Sequence, residues 1–316
     1  MKDSHLHKPD VSVDIGRLHL KNPVMPASGT FGYGEEYSEY LDINRLGAIV
    51  VKGISLHPRH GNPPPRIMET PHGMLNAIGL QNPGVHAFIK EKLDFLRQFD
   101  VPVIVNILGE TVDEYKRIAD ILNSAEGIHA LEVNISCPNV ETGGISFGAD
   151  PKAAYKVTRG VKGVSRIPVI VKLSPNVTDI AGIAESVQAG GADAVSLINT
   201  ITGLSVDAEK RRPHLQRIVG GLSGPAIKPV ALRMVREVVK RVTIPVIGIG
   251  GITNAADAIE FLIVGAKAVQ IGTANFVNPR ATIEVIGGIE DYMMRHCMKN
   301  ISELIGSLDE GTTAAL

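Results

Sequence analysis

The segment IPVIVKLS, residues 167–174, contains the pattern that decides the fold. A proline opens it, branched apolar residues follow, and Lys172 interrupts the run. A short run of this kind is typical of a strand buried on both faces, and proline fits only its start, where no ladder hydrogen bond is lost. Three more segments open in the same way: NPVMPAS from Asn22, VPVIVNIL from Val101 and IPVIGIGG from Ile244.

A second kind of apolar run opens with glycine and small residues, and it alternates strictly with the first kind along the chain. Glycine suits the residue just past a helix, where a positive φ is needed. Together the two kinds predict eight strands. The runs of the second kind are GAIVVKG from Gly47, GIHALEVNISC from Gly127, GADAVSLINT from Gly191 and GAKAVQIGT from Gly265.

Segments with apolar residues at three-to-four spacing lie between these runs and predict helices. They are VHAFIKEKLDFLRQF, TVDEYKRIADILNSA, DPKAAYKVTRGVKGV, DIAGIAESVQAG, IKPVALRMVREVVKRV and NAADAIEFLIVG. Eight strands alternating with helices predict a parallel (β/α)8 TIM barrel, with residues 1–316 as a single domain. A doubly wound sheet is the alternative, but it does not explain two alternating strand types, and no G-x-G-x-x-G follows the first strand.

Three segments fall outside the repeat. The connections over residues 53–100 and 200–243 are longer than one helix needs, so we expect inserted loops or strands over the active face. Residues 8–21 contain a glycine between two apolar stretches and predict an N-terminal hairpin that closes the bottom of the barrel.

The composition excludes several classes of protein. The 316 residues are 44% hydrophobic and 21% charged, with a net charge of -1, which gives no general reason to expect nucleic acid or an anionic membrane as partner. Neither a signal peptide nor a membrane span is visible, so we expect a cytoplasmic protein. Two cysteines are too few for a disulfide framework or an iron–sulfur cluster, and four histidines on one connection lack the spacing of a metal site.

Polar residues end or interrupt the predicted strands, at the edge of the barrel where active sites lie. Lys172 is the most informative, because a buried ammonium needs a negative partner, and Asn106 holds the equivalent place after its own proline. Two structural roles are the alternatives to a functional one: an internal ion pair for Lys52 and Lys172, and a capping role for single residues such as Asn106 and Ser28. In strand order these residues are Ser28, Lys52, Asn106, Asn134 with Ser136 and Cys137, Lys172, Asn199 with Thr200, Gly250 with Gly251, and Gly272 with Thr273.

The last two strands end in the small residues of IGIGGIT and VQIGTAN. Small residues let backbone N–H groups approach a phosphate, and a phosphate site after strands seven and eight is common in this architecture. The alternative is that these glycines serve tight turns alone.

Cys137 follows the fourth strand in NISCPNVETGGISFG, where three glycines favour a pliable lid that carries a thiol. A lone cysteine often serves only packing, but this one stands among polar residues at a strand end, which favours a catalytic role. Cys297 lies in DYMMRHCMKN, and there we expect helical packing.

Long stretches of the chain resemble the dihydroorotate dehydrogenases, flavin enzymes of pyrimidine (UMP) biosynthesis, from about Ser28 to Thr273. The motifs are VKGIS, NAIGLQNPG, NISCPNVETGGISFG, VKLSPNVTDI, SLINT, GGLSGPAIKPVALR, IGIGGI and VQIGTA. A cysteine at the catalytic position resembles class 1, and CPNVETGG with SPNVTDI resembles class 1B.

The resemblance implies one FMN per chain on the barrel rim. Its phosphate would lie at Gly224, Gly250, Gly251, Gly272 and Thr273, and its ring near Ser28, Lys52, Gly53, Asn106, Asn134, Lys172 and Ile198. Dihydroorotate would be held by Lys52, Asn76, Ala77, Ile78, Gly79, Leu80, Asn134, Asn199 and Thr200. Asparagine amides both donate and accept, as a pyrimidine ring requires.

The resemblance also implies a reaction and a partner. Cys137 would take the proton from carbon 5 of (S)-dihydroorotate while the hydride of carbon 6 passes to FMN, giving orotate. Class 1B relatives pass the electrons to NAD through a second subunit with FAD and a [2Fe–2S] cluster, in a heterotetramer built on a homodimer of the FMN chain. Three alternatives stay open: a fumarate-dependent class 1A enzyme, a related FMN barrel that reduces uracil or thymine, and a catalytically silent phosphate-ligand binding module.

Overall fold

The computed structural model describes residues 8–136, 138–139 and 145–311. Its strands, in chain order, are β1 (Val13–Ile15), β2 (Leu18–Leu20), β3 (Val24–Pro26), β4 (Ile49–Ile54), β5 (Ile67–Thr70), β6 (Gly73–Asn76), β7 (Val103–Ile107), β8 (Ala130–Asn134), β9 (Pro138–Asn139), β10 (Ile145–Ser146), β11 (Val169–Lys172), β12 (Ala194–Leu197), β13 (Ile201–Leu204), β14 (Val206–Asp207), β15 (Arg212–Pro213), β16 (Val219–Ser223), β17 (Val246–Ile249) and β18 (Ala268–Ile271).

Seven of the nine α-helices that the structure describes lie within the predicted segments, and the last two, after residue 273, lie outside them. The nine helices are α1 (Val85–Glu91), α2 (Leu93–Leu96), α3 (Val112–Leu122), α4 (Pro151–Val164), α5 (Ile180–Ala189), α6 (Lys228–Val239), α7 (Ala255–Ile263), α8 (Ala274–Val277) and α9 (Ala281–Arg295). Side chains cap several of them: Thr111, Asp150, Asp179 and Asn254 each accept a backbone N–H of the first turn. The segment expected to form one helix over residues 85–99 is divided at Lys92 into α1 and α2.

The eight predicted strands form one parallel sheet, in the order β3-β18-β17-β12-β11-β8-β7-β4. The sheet closes where the amide of Gly47, just before β4, donates to the carbonyl of Val24 in β3 over 2.9 Å. A Cβ at Gly47 would lie 2.2 Å from the carbonyl oxygen of Asn22, so only glycine permits this approach. The prediction of a (β/α)8 barrel is confirmed.

Two additions cover the ends of the barrel. The antiparallel hairpin β1–β2 turns at Gly16, whose φ is 63°, and a Cβ there would touch Asp193, the residue before β12. The expected hairpin therefore lies at the amino ends of the strands. At the carboxyl ends, the two long connections pair in an antiparallel sheet of order β13-β16-β6-β5. The expected insertions thus form one shared cover.

The prediction for Cys297 is wrong. Helix α9 ends at Arg295, and Cys297 follows it with a φ of 56° and an exposed side chain. The left-handed backbone at this position turns the chain away from the helix axis, so the thiol does not pack. No helix in the part of the chain that the structure describes is long and apolar enough to cross a membrane.

Candidate active site

A cavity of about 1370 Å³ lies at the carboxyl ends of the barrel strands, beneath the antiparallel cover. It is larger than the roughly 300–1,000 Å³ of a usual small-molecule pocket. Every predicted site residue that the structure describes lines it, whereas Cys137 lies outside the described residues. These lining residues are Ser28, Lys52, Gly53, Asn76, Ala77, Ile78, Gly79, Leu80, Asn106, Asn134, Lys172, Ile198, Asn199, Thr200, Gly224, Gly250, Gly251, Gly272 and Thr273.

Lys172, at the end of β11, has only 5% of its surface exposed and extends its ammonium group towards the cavity. Its Nζ donates to the hydroxyl of Ser28 over 3.3 Å and lies 3.9 Å from Oε1 of Glu132. The lysine that the sequence marked therefore faces both an internal carboxylate and the cavity. Lys172 therefore has the carboxylate neighbour expected of an internal ion pair and also the position at the cavity expected of a ligand-binding residue.

Glu132, in the middle of β8, is fully buried and lies one layer below the cavity. Asn106 Nδ2 donates to one of its oxygens over 2.7 Å. Ser196 Oγ and Gln270 Nε2 donate to the other over 2.9 and 2.7 Å. These donors replace the hydrogen bonds to water that the carboxylate loses on burial, and they therefore offset the cost of burying it.

Sequence reasoning missed Glu132, although a signal was present. Glu132 interrupts the apolar run ALEVN in the way that Lys172 interrupts VIVKLS. A charge inside each of two buried strands indicates a pair, because one charge supplies the partner that the other needs.

An amide cluster borders the cavity beyond β8 and β12. Asn199 Nδ2 donates to the hydroxyl of Ser136 over 2.9 Å and to Oδ1 of Asn134 over 3.3 Å. Asn134 is held in turn by the Tyr115 hydroxyl, which donates to its carbonyl over 2.5 Å. The cluster therefore presents amide groups in fixed orientations at the cavity wall.

Lys52 borders the same cavity from β4. Burial, with a smaller contribution from the positive charge of Arg66, lowers the pKa of Lys52 from its ordinary value of 10.5. Arg66 is held by Gln81, whose Oε1 accepts a hydrogen bond from Arg66 Nη2 over 2.7 Å. Two cations at one wall repel each other, so an anion bound between them would be stabilised.

Residues 76–80, which begin at the last residue of β6, form one side of the cavity. Asn62 holds them in place: its side-chain amide donates to the carbonyl of Ala77 and its backbone N–H to that of Ile78, both over 2.9 Å. Gly79 and Leu80 have φ values of 78° and 59°. Hydrogen bonds from Asn62 and the positive φ values of two residues therefore define the backbone of residues 76–80.

The opposite wall consists of glycines after β16 and β17. Gly224, Gly250 and Gly251 have φ values of 97°, 134° and 72°. A Cβ at Gly250 would lie 2.7 Å from Ala231, and one at Gly251 would lie 2.9 Å from the carbonyl oxygen of Gly224. Only glycine fits here, and the space in front of the backbone remains free for a ligand.

A salt-bridged network supports this wall from behind. Asp257 accepts the backbone N–H and the hydroxyl of Thr253 over 2.8 and 2.6 Å, and Lys228 Nζ lies 2.7 Å from Asp257 and 2.9 Å from Glu260. Burial alone would raise the pKa of Asp257, but the hydrogen bonds from Lys228 and Thr253 outweigh it and lower the pKa. Burial also opposes the charge of Lys228, yet its acidic partners raise the pKa of its ammonium group.

The connection over residues 53–100 carries His57, His60, His72 and His86. Among the residues that the structure describes, no three His, Cys, Asp or Glu side chains are placed to hold a metal ion.

Comparison with known proteins shows the family of this chain. The family model described as dihydroorotate dehydrogenase matches residues 11–293. Proteins named dihydroorotate dehydrogenase B (NAD(+)), catalytic subunit, are similar along nearly the whole chain. The protein of Geotalea daltonii is 58% identical over 95% of this chain and 99% of its own length. The proteins of Thermoanaerobacter pseudethanolicus and Trichlorobacter lovleyi are both 57% identical, over 95% and 96% of this chain and 99% of each relative. This chain belongs to the dihydroorotate dehydrogenase family.

Proposed function

We propose that this chain is a single-domain FMN enzyme that oxidises (S)-dihydroorotate to orotate in pyrimidine biosynthesis. The observation that carries the proposal is the composition of one cavity: Lys52, Lys172 and an amide cluster around Asn134 and Asn199 face a wall of glycines. The relatives that are 55–58% identical bear names for the same activity.

FMN fits the cavity in size and in chemistry. The volume of about 1370 Å³ accommodates a flavin nucleotide together with a small cyclic substrate. Gly224, Gly250 and Gly251 leave their backbone open to a phosphate, and Thr273, whose hydroxyl donates to Ser223 over 2.7 Å, stands beside them. Lys172 would lie at the edge of the ring where negative charge develops on reduction.

The protein groups have separate tasks in this reaction. Bound FMN would supply the acceptor for the hydride that leaves carbon 6 of the substrate. Lys52 would bind the substrate carboxylate, and Asn134 and Asn199 would match the N–H and C=O groups of its ring. Cys137 would remove the proton at carbon 5 as general base.

Electrons must leave the chain after each turnover. The relatives are named catalytic subunits of NAD(+) enzymes, which supports a separate electron-transfer subunit for this chain as well. We place FAD and a [2Fe–2S] cluster on that subunit, in a heterotetramer built on a homodimer of this chain, with NAD as the final acceptor.

The visible spectrum of the purified chain tests the proposal. We expect a yellow protein whose flavin absorbance bleaches on anaerobic addition of dihydroorotate but not of dihydrouracil. Bleaching by dihydrouracil alone would favour a uracil-reducing enzyme, and a colourless chain that binds phosphate ligands would favour a silent binding module.

Stopped-flow reoxidation of the reduced chain tests the electron path. Artificial dyes should reoxidise it rapidly, whereas NAD and fumarate should not. Rapid reoxidation by NAD without a partner would overturn the two-subunit arrangement, and rapid reoxidation by fumarate would indicate a class 1A enzyme.

A further inference from the structure

Glu132 lies below the cavity and touches no part of it, yet it contacts two side chains that line it, Asn106 and Lys172. We propose that Glu132 is a positioning residue whose negative charge limits how strongly Lys172 attracts negative charge into the cavity. Since the cavity is proposed to hold FMN, this inference rests on the proposed function, and it assigns to Glu132 control of the flavin reduction potential.

Neutral donors occupy the Glu132 carboxylate at hydrogen-bond distance. Asn106, Ser196 and Gln270 donate over 2.7–2.9 Å, whereas the nearest approach of Lys172 Nζ is 3.9 Å. The lysine is thus an electrostatic neighbour of the carboxylate and not one of its close hydrogen-bond donors. Lys172 Nζ donates instead to the Ser28 hydroxyl at the cavity wall.

This arrangement separates two effects that a tight ion pair would combine. The ammonium group keeps its direction towards the cavity, because the carboxylate is already satisfied from other strands. The field of the ammonium is nevertheless reduced by the negative charge below it, and the effect is strong because both groups are buried. Glu132 therefore sets how strongly the Lys172 ammonium group attracts negative charge into the cavity, and it does so without touching a ligand.

The first test is the midpoint potential of bound flavin in Glu132→Gln. Removing the negative charge should strengthen binding of reduced FMN relative to oxidised FMN by at least tenfold, which corresponds to about 30 mV for a two-electron couple. Gln270→Met is the matched control, because it removes one hydrogen bond from the same carboxylate but keeps the charge, and it should change the ratio less than twofold. Equal shifts in the two variants, or no shift in Glu132→Gln, would overturn the proposal.

A double variant guards against misfolding of Glu132→Gln. Lys172→Met alone should lower the midpoint potential, and Glu132→Gln/Lys172→Met should recover part of the loss, because neither charge remains. A double variant with the potential of Lys172→Met would show that Glu132 has no influence on the flavin.

A second measurement needs no flavin. Urea unfolding of the flavin-free chain should show that the two substitutions are non-additive, with the double variant more stable than the sum of the single losses predicts, since each single change leaves one buried charge without its counter-charge. Additive losses would refute the coupling itself. A wild-type chain that binds no FMN would refute the proposed function and would leave this coupling measurable.

Discussion

The two walls of the cavity are built on different principles. The lysine wall, formed by Ser28, Lys52, Asn106, Asn134 and Lys172, presents polar side chains, and hydrogen bonds to Glu132 and Ser28 fix Asn106 and Lys172. The glycine wall, formed by Gly224, Gly250, Gly251, Gly272 and Thr273, presents backbone with almost no side chains.

The difference matches what each wall would recognise under the proposed function. A phosphate is satisfied by several N–H groups at close range, and side chains would only keep it away. A ring that changes its charge during a reaction needs positioned charges and amides. The comparison predicts that changes in the lysine wall alter chemistry and substrate binding, and that changes in the glycine wall alter retention of the cofactor.

The largest effect is expected from Cys137→Ser, the proposed general base. Loss of a general base slows flavin reduction by dihydroorotate at least about 10²-fold at neutral pH, while FMN remains bound. Cys297→Ser is the matched control, because that thiol is exposed and lies beyond the last long helix. Reduction at the parent rate in stopped-flow mixing would remove Cys137 from the mechanism.

Lys52→Met comes next and acts on the substrate. Losing a charge-assisted hydrogen bond of about 1.5–3 kcal/mol should weaken orotate binding roughly 10- to 100-fold and leave uracil binding unchanged. The pKa of Lys52 is lowered, so in the parent chain orotate affinity should fall as the pH rises through a value below 10.5. Titration calorimetry against pH checks both points.

The exposed Lys90 on α1 provides the control for that experiment. Lys90→Met changes the net charge equally and should leave orotate affinity intact. Equal losses in both variants would mean that only the overall charge matters.

Gly251→Ala addresses the glycine wall. A Cβ at this positive φ meets Lys228 at 2.8 Å and the carbonyl of Gly224 at 2.9 Å. FMN affinity should therefore fall about tenfold or more, whereas the reduction rate of the loaded enzyme should stay near that of the parent. Gly163→Ala, in α4 with open space around it, should leave FMN affinity unchanged. A slow reduction step with full FMN retention would contradict the division between the walls.

The smallest effect is expected from Asp257→Asn, behind the glycine wall. Loss of a charge-assisted hydrogen bond should lower the free energy of unfolding by about 1.5 kcal/mol at neutral pH. The folded-state pKa of Asp257 is lowered, so its contribution is complete above its ordinary value of 3.8 and disappears as the pH falls through the lowered value. The parent chain and Asp257→Asn should therefore converge in their free energy of unfolding as the pH falls below 3.8.

Asp94→Asn is the control variant. Asp94 forms an exposed ion pair with Arg97, so this change should alter the free energy of unfolding by less than about 0.5 kcal/mol.

The sequence was sufficient for the barrel and for the residues that line its cavity. Strand positions could be predicted because proline and glycine mark the start of each buried run. Several lining residues could be predicted because polar side chains at the ends of such runs lie at the carboxyl edge of the barrel, whereas Glu132, in the middle of a run, lies below the cavity. Residues 76–80 and Gly224 were predicted from the family resemblance alone.

Pairings between distant segments could not be predicted. The cover depends on Asn76 of β6 standing opposite Gly221 of β16, and nothing local to either strand indicates that register. The link from Lys228 to Asp257 joins two helices that look independently amphipathic in sequence. Cys297 was misplaced because the helical pattern continues beyond Arg295 while the backbone turns.

The hydrogen bonds around Glu132 also bear on how the chain reaches its folded state. Its donors come from β7, β12 and β18, so residues from 106 to 270 must be in place before the carboxylate is satisfied. A fragment that ends before β12 would retain the acid and lose Ser196 and Gln270. These hydrogen bonds join four strands, β7, β8, β12 and β18, so we expect those four strands to unfold together and a half-barrel to leave the Glu132 carboxylate short of donors.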